Sequence, residues 1–148
     1  MAENEQRNIP STKGLRHVAL KVSNLSTSKA FYQKWFGMDI VWEPDAENVY
    51  MSSGVDNLAL HEIPSGDLEK HQQDQGQFLD HLGFLMESAE HVDQLHALVL
   101  EGGVGIVHHP KRHRDGSYSF YLADPDHIVI QILYEPTISS IRFSSGGC

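Results

Sequence analysis

A nine-residue pattern, with leucine first and histidine third, occurs twice in this chain. Leu15-Arg16-His17-Val18-Ala19-Leu20-Lys21-Val22-Ser23 returns 64 positions later as Leu79-Asp80-His81-Leu82-Gly83-Phe84-Leu85-Met86-Glu87. Both copies put a histidine third, follow it with an apolar, strand-like run, and lead into a helix pattern. A second apolar run follows each histidine, with a metal-capable side chain 44 residues on in the first half (His61) and 50 on in the second (Gln131). A repeat of this size is one supersecondary unit that cannot bury a sheet face alone, so the two copies must share a core. Four such side chains in two matched pairs predict one site between the copies.

The halves parse alike. Strand His17–Val22 leads to Ser26 as N-cap, a helix with Leu25, Ala30, Phe31 and Trp35 on its apolar side, and Gly37 as its stop. Strands follow over Met38–Trp42, Asn48–Ser52 and Asn57–Ile63, the last after a Gly54…Asp56-Asn57 turn. In the second half, strand His81–Met86 leads to Ser88 as N-cap and a helix carrying Val92, Leu95, Leu98 and Val99, ended by Glu101-Gly102-Gly103. Strands near Gly105–His108, Ser117–Leu122 and Ile128–Tyr134 complete it, the last two separated by the Asp124-Pro125-Asp126 turn. The expected fold is α+β: two tandem βαβββ modules forming a curved mixed sheet around a central cavity, with helices outside. Expected boundaries are a mobile tail over 1–13 and one domain over 14–136, with module 1 over 14–64, a linker over 65–78 and module 2 over 79–136. A C-terminal tail over 137–148 has Ile141 and Phe143 as docking points.

Strand parity separates core from cavity. Val18, Leu20 and Val22 oppose His17, Ala19 and Lys21; Leu58 and Leu60 oppose Ala59 and His61. Leu82, Phe84 and Met86 oppose His81, Gly83 and Leu85; Ile128, Ile130 and Ile132 oppose Val129, Gln131 and Leu133. In each strand one row is bulky and apolar, and the other carries the candidate ligand. Imidazoles plus an oxygen donor suit Zn²⁺, Ni²⁺, Fe²⁺ or Mn²⁺ and leave room for water or substrate. The chain has ten histidines, and His71, His91, His96, His108, His109 and His127 read as surface residues. A one-residue slip would make Glu62 the ligand in place of His61.

Net charge is −9, which argues against nucleic acid as a partner. The one basic cluster, Lys111-Arg112-His113-Arg114, reads either as a solvated loop or as a handle for an anionic substrate. A single cysteine, Cys148, fits a reducing compartment. No apolar run approaches a membrane span and the N-terminus lacks a signal-peptide core, so the expected location is cytoplasmic.

With its paired modules, histidine-initiated strands and Asp124-Pro125-Asp126 turn, the chain resembles the vicinal oxygen chelate superfamily over about residues 14–136. That group includes glyoxalase I, extradiol dioxygenases, methylmalonyl-CoA epimerase, fosfomycin-resistance thiol transferases and bleomycin-resistance proteins. The resemblance implies metal ligands at His17, His61, His81 and Gln131, and cavity-facing Ser119 and Tyr121 as catalytic residues. It also implies a divalent metal cofactor, a small-molecule substrate and a homodimer. The family most often has glutamate where this chain has Gln131, and an amide can ligate but cannot act as a base. The remaining base candidates are Glu62, Glu135 or metal-bound hydroxide.

Two functions from different classes follow. One is a metal-dependent glyoxalase-like enzyme of lyase or isomerase type, chelating a small oxygenated, anionic substrate, with dioxygenase-like or thiol-transferase resistance chemistry as alternatives. The other is a non-catalytic drug-binding protein of the bleomycin-resistance type; loss of the carboxylate favours it, and three retained histidines oppose it.

Overall fold

Alternating rows of apolar and polar residues fold into strands, and the helix between the first two strands of each unit covers the apolar row. A computed structural model of the chain describes residues 15–70, 79–114, 116–137 and 139. The expected tail over 1–13, His71, residues 71–78 of the expected linker, and Ile141 and Phe143 lie outside the described residues. The first module runs β1 (His17–Val22), α1 (Leu25–Phe36), β2 (Asp39–Asp45), β3 (Asn48–Ser52) and β4 (Asn57–Glu62), followed by a 3-10 helix over Ser65–Lys70. The second runs β5 (Leu82–Leu85), α2 (Ala89–Glu101), β6 (Ile106–Arg112), β7 (Tyr118–Ala123) and β8 (Val129–Tyr134). The α+β, two-module fold is as the repeat requires. Its strands form two four-stranded mixed sheets, ordered β1-β4-β3-β2 and β5-β8-β7-β6.

Helix α1 packs on β3 and β4, and α2 on β6, β7 and β8. One core cluster runs through both modules, from Leu20, Met51 and Leu60 to Val92, Phe120 and Ile132. Helix α1 departs from its expected pattern. Its N-cap is Asn24, whose side chain accepts from Thr27 N–H, and not Ser26. The buried stripe is Leu25, Ser28 and Tyr32, while Ala30 is exposed. Tyr32 is fully buried because its hydroxyl donates to Asp124 at 2.8 Å, a partner from the other module that sequence periodicity does not reveal. Gly37 stops the helix in the left-handed region at φ 61°, and Ser88 caps α2, both as expected.

The modules meet through the back of α1. Asp126 accepts from Ser23 N–H with both carboxylate oxygens, each at 3.1 Å. Phe36 stacks on Phe84 at 4.1 Å between ring centroids. Trp35 lies against Gly102, where an added Cβ would collide with the indole ring. Gly102 has φ −75°, a conformation alanine adopts freely, so the collision alone sets the cost. Gly102→Ala should destabilise the protein by about 1–3 kcal/mol, as overpacking of a filled core does. A urea midpoint equal to that of the wild type would show that Trp35 has room to move.

Candidate functional site

Helix cover on one face leaves the other face of each sheet open, and the two open faces carry the candidate ligands. On the first, His17, Ala19 and Lys21 are exposed while Leu20 and Val22 are buried. His61 shares this face, because its ring and that of His17 both meet Tyr50 edge-on, at 6.5 and 6.2 Å. Glu62 turns away from this face and accepts from Leu25 N–H at the start of α1. The open face therefore holds His61 and not Glu62. Glu135 accepts from Thr137, so both carboxylates among the expected base candidates are engaged in holding the backbone.

The strand register changes how the halves correspond. In the second sheet Gly83, two residues after His81, pairs with Gln131 and through it with Tyr121. In the first, Ala19, two residues after His17, pairs with Ala59 and through it with Tyr50. Ala59, rather than His61, is thus the repeat equivalent of Gln131. His61 pairs with Lys21, four positions along the strand from the level of His17, roughly 13 Å at the usual strand rise. The expected matching of His61 with Gln131 fails because apolar runs have no marker of absolute register. Among the described residues no group of three His, Cys, Asp or Glu side chains could hold a metal ion.

Each candidate histidine is oriented in the same manner. His17 Nδ1 meets Asn57 Oδ1 at 2.8 Å, His61 Nδ1 meets Asn48 Oδ1 at 2.6 Å, and His81 Nδ1 meets Asp80 Oδ2 at 2.6 Å. Oxygen acceptors at Nδ1 place the proton there and leave Nε2 with its lone pair, the arrangement that outer partners impose on metal-binding imidazoles. Gln131 Nε2 donates to Ser119 Oγ at 3.1 Å, so its amide oxygen is the end not used by Ser119. The donor set of His17, His81 and Gln131 thus has the chemistry a divalent ion takes, divided between two faces.

A cavity of about 570 Å³ opens on the second face, lined among others by His81, His108, Lys111, His113, Ser119 and Tyr121. Tyr121 meets the rings of His81 and His108 edge-on at 5.4 and 5.6 Å. Ser119 is buried, and its Oγ also meets His113 Nε2 at 2.9 Å. Parity splits the basic cluster. Lys111 and His113 line the cavity, whereas Arg112 stacks on Tyr118 at 5.1 Å and donates to Gly116. His108 reads as a surface residue in the sequence; irregular pairing of β6 between His108 and Lys111 hides its alternation. Opposite it in repeat position stands Trp42, paired with Tyr50 as His108 is paired with Tyr121.

On the first face Asn48 links His61 to Asp45, donating to both oxygens of that carboxylate. A hydrogen bond from Glu47 N–H, then those from Asn48, hold the Asp45 carboxyl below its ordinary range. At the level where the second face presents Lys111, that face thus carries the Asp45 carboxylate at one end of the row and Lys21, paired with His61, at the other.

Comparison with known proteins agrees with this architecture. Residues 14–132 match the family described as Glyoxalase/Bleomycin resistance protein/Dioxygenase superfamily. The Bacillus subtilis (strain 168) Uncharacterized protein YqjT is 28% identical over 134 residues, covering 80% of this chain and 97% of that one. Among solved structures, the lactoylglutathione lyase from Agrobacterium tumefaciens superposes with a TM-score of 0.68 at 18% identity, covering 89% of this chain and 100% of that chain. A glyoxalase/bleomycin resistance protein/dioxygenase from Alicyclobacillus acidocaldarius gives 0.64 at 19% identity, with coverages of 84% and 92%. At these identities the two structures establish likeness of fold. No described helix is long and apolar enough to cross a membrane.

Proposed function

The chain belongs to the glyoxalase/bleomycin resistance protein/dioxygenase superfamily, and from that premise we propose a metal-dependent, glyoxalase-like enzyme of lyase or isomerase type. It acts as a cytoplasmic homodimer on a small oxygenated anion. The observation that carries the reading is the shared posture of His17 and His81, each with Nδ1 tied to an oxygen and Nε2 left free. They lie on the open faces of different sheets, so the first module of one copy must close on the second module of another to join them. The 14–136 span then acts as one domain whose two modules serve different cavities.

In that arrangement His17 of one copy, with His81 and Gln131 of the other, would hold a divalent ion. His61 stands apart from this set by register and supports the wall through Asn48. When bound, the ion supplies positive charge beside a substrate carbonyl and stabilises an enolate or alkoxide. Lys111 and His113 draw the anionic group. Tyr121 offers its hydroxyl to orient a substrate oxygen. Ser119, filled on one side by the Gln131 amide, keeps His113 and Gln131 in fixed relation.

A second reading, a small-molecule binding protein of the bleomycin-resistance type, is favoured by the engagement of Glu62 and Glu135 elsewhere. Metal analysis decides between them. Protein purified without added metal should carry Zn, Ni, Fe or Mn, and Gln131→Glu should bind that ion at least about 10-fold more tightly, since the new carboxylate adds a charged ligand. A folded wild type that holds no metal and ignores added divalent ions would leave the binding protein. An unchanged affinity in Gln131→Glu would remove residue 131 from the ligand set.

A further inference from the structure

We propose that the ligand of this cavity is an aromatic anion, a planar ring carried on a small acidic head group. The inference rests on the two-copy cavity proposed above. The two walls share a layout and differ in chemistry row by row. Along one row the second wall presents His108, Tyr121, Gln131 and Gly83. The matching row of the first wall presents Trp42, Tyr50, Ala59 and Ala19. Each wall carries a tyrosine; beside it, where one has an imidazole and an amide, the other has an indole and, with Ala59 buried, the exposed methyl of Ala19. Trp42 meets Tyr50 edge-on at 4.9 Å and is still 52% exposed. It fills the place that His108 takes in the cavity lining.

The next row orients the ligand. There the second wall carries Lys111 and Ser119, with His113 bonded to Ser119. The first wall carries Asp45, Asn48 and His61, tied together by hydrogen bonds, with Lys21 paired beside His61. An anionic group is drawn to Lys111 on the second wall, whereas on the first wall the charges of Asp45 and Lys21 offset each other across the row. The remainder of the molecule then lies toward Trp42 and Tyr50. A flat π surface fits beside an indole and a phenol where a hydrated, flexible chain does not.

Calorimetric titration of the full chain with phenylphosphonate, methylphosphonate and benzyl alcohol tests this, with sedimentation run in parallel. Phenylphosphonate should bind at least about 10-fold more tightly than either fragment, because it alone uses both walls. Trp42→Leu, a change at an exposed position, should weaken phenylphosphonate to the level of methylphosphonate. Lys111→Gln should weaken it to the level of benzyl alcohol. A dimer that binds the two phosphonates alike overturns the aromatic ligand and leaves the shared cavity standing. Trp42→Leu that binds phenylphosphonate like the wild type does the same, and so does a dimer that binds none of the three. A chain that sediments as a monomer overturns the shared cavity itself.

Discussion

An equal mixture of His17→Ala and His81→Ala chains, refolded together, should recover metal binding that neither variant shows alone. Each variant by itself removes one imidazole from every site, a loss exceeding the roughly 10–100-fold that follows removal of an outer hydrogen-bond partner. In mixed dimers one cavity lacks both histidines and the other keeps both. Random pairing makes half of the dimers mixed, so about one quarter of wild-type sites should return. The measurement is metal content after gel filtration of the mixture and of each variant. A site built inside one chain predicts no recovery at all. Retention of full metal by His17→Ala alone would sink the shared site, since β1 (His17–Val22) would then contribute nothing to it.

Asp124→Ala should unfold the protein more readily than any other single change at the contact between the modules. The carboxylate accepts from the Tyr32 hydroxyl at 2.8 Å and from the N–H groups of Asp126 and Ile128, each at 2.8 Å. Truncation leaves a buried phenol hydroxyl and two turn amides without their acceptor, at about 1–3 kcal/mol for each group that water cannot reach. We expect a loss of roughly 3–5 kcal/mol, read from urea unfolding. Tyr32→Phe removes one donor and leaves the carboxylate its two amides, so its cost should be nearer 1 kcal/mol. Equal costs for the two variants would mean that the turn amides do not matter.

The same carboxyl gives a pH signature. Burial raises it above the ordinary carboxyl range, against the opposing pull of the Ile128 amide and the Tyr32 hydroxyl. A carboxyl raised on folding contributes stability that is complete below its unfolded pKa and is lost as pH rises through the folded one. The wild type should therefore gain on Asp124→Asn as pH falls from about 7 to about 4. A gap that narrows over that range would reverse the sign and show the hydrogen bonds outweighing burial.

The repeat made most of the fold legible. His17–Val22 and Asn48–Ser52 are strands over the residues that alternation marks, and Gly37 ends its helix where a left-handed residue is needed. Parity also told the open rows from the buried ones. Absolute register was not legible, because it is set by bulges and loop lengths. Runs such as Asn57–Glu62 look the same when shifted by two residues, which is why His61 stood in for Ala59 as the partner of Gln131. Tyr32 and Asp124 escaped for another reason. A buried hydroxyl is tolerated only where a distant acceptor meets it, and no local pattern records an acceptor in the other module. His108 and Trp42 escaped because irregular pairing in β2 and β6 breaks the alternation that would have shown which face they share.

Helix α1 touches both halves of the molecule from behind: it is cushioned on β3 and β4, stacked on Phe84 and tied by Tyr32 to Asp124. It works as a wedge whose thickness sets the angle at which the two open faces look outward. A bulkier or slimmer side chain on its rear side would tilt one wall relative to the other without altering any residue that lines the cavity. The tilt of the two faces can thus be reset from positions that line neither of them.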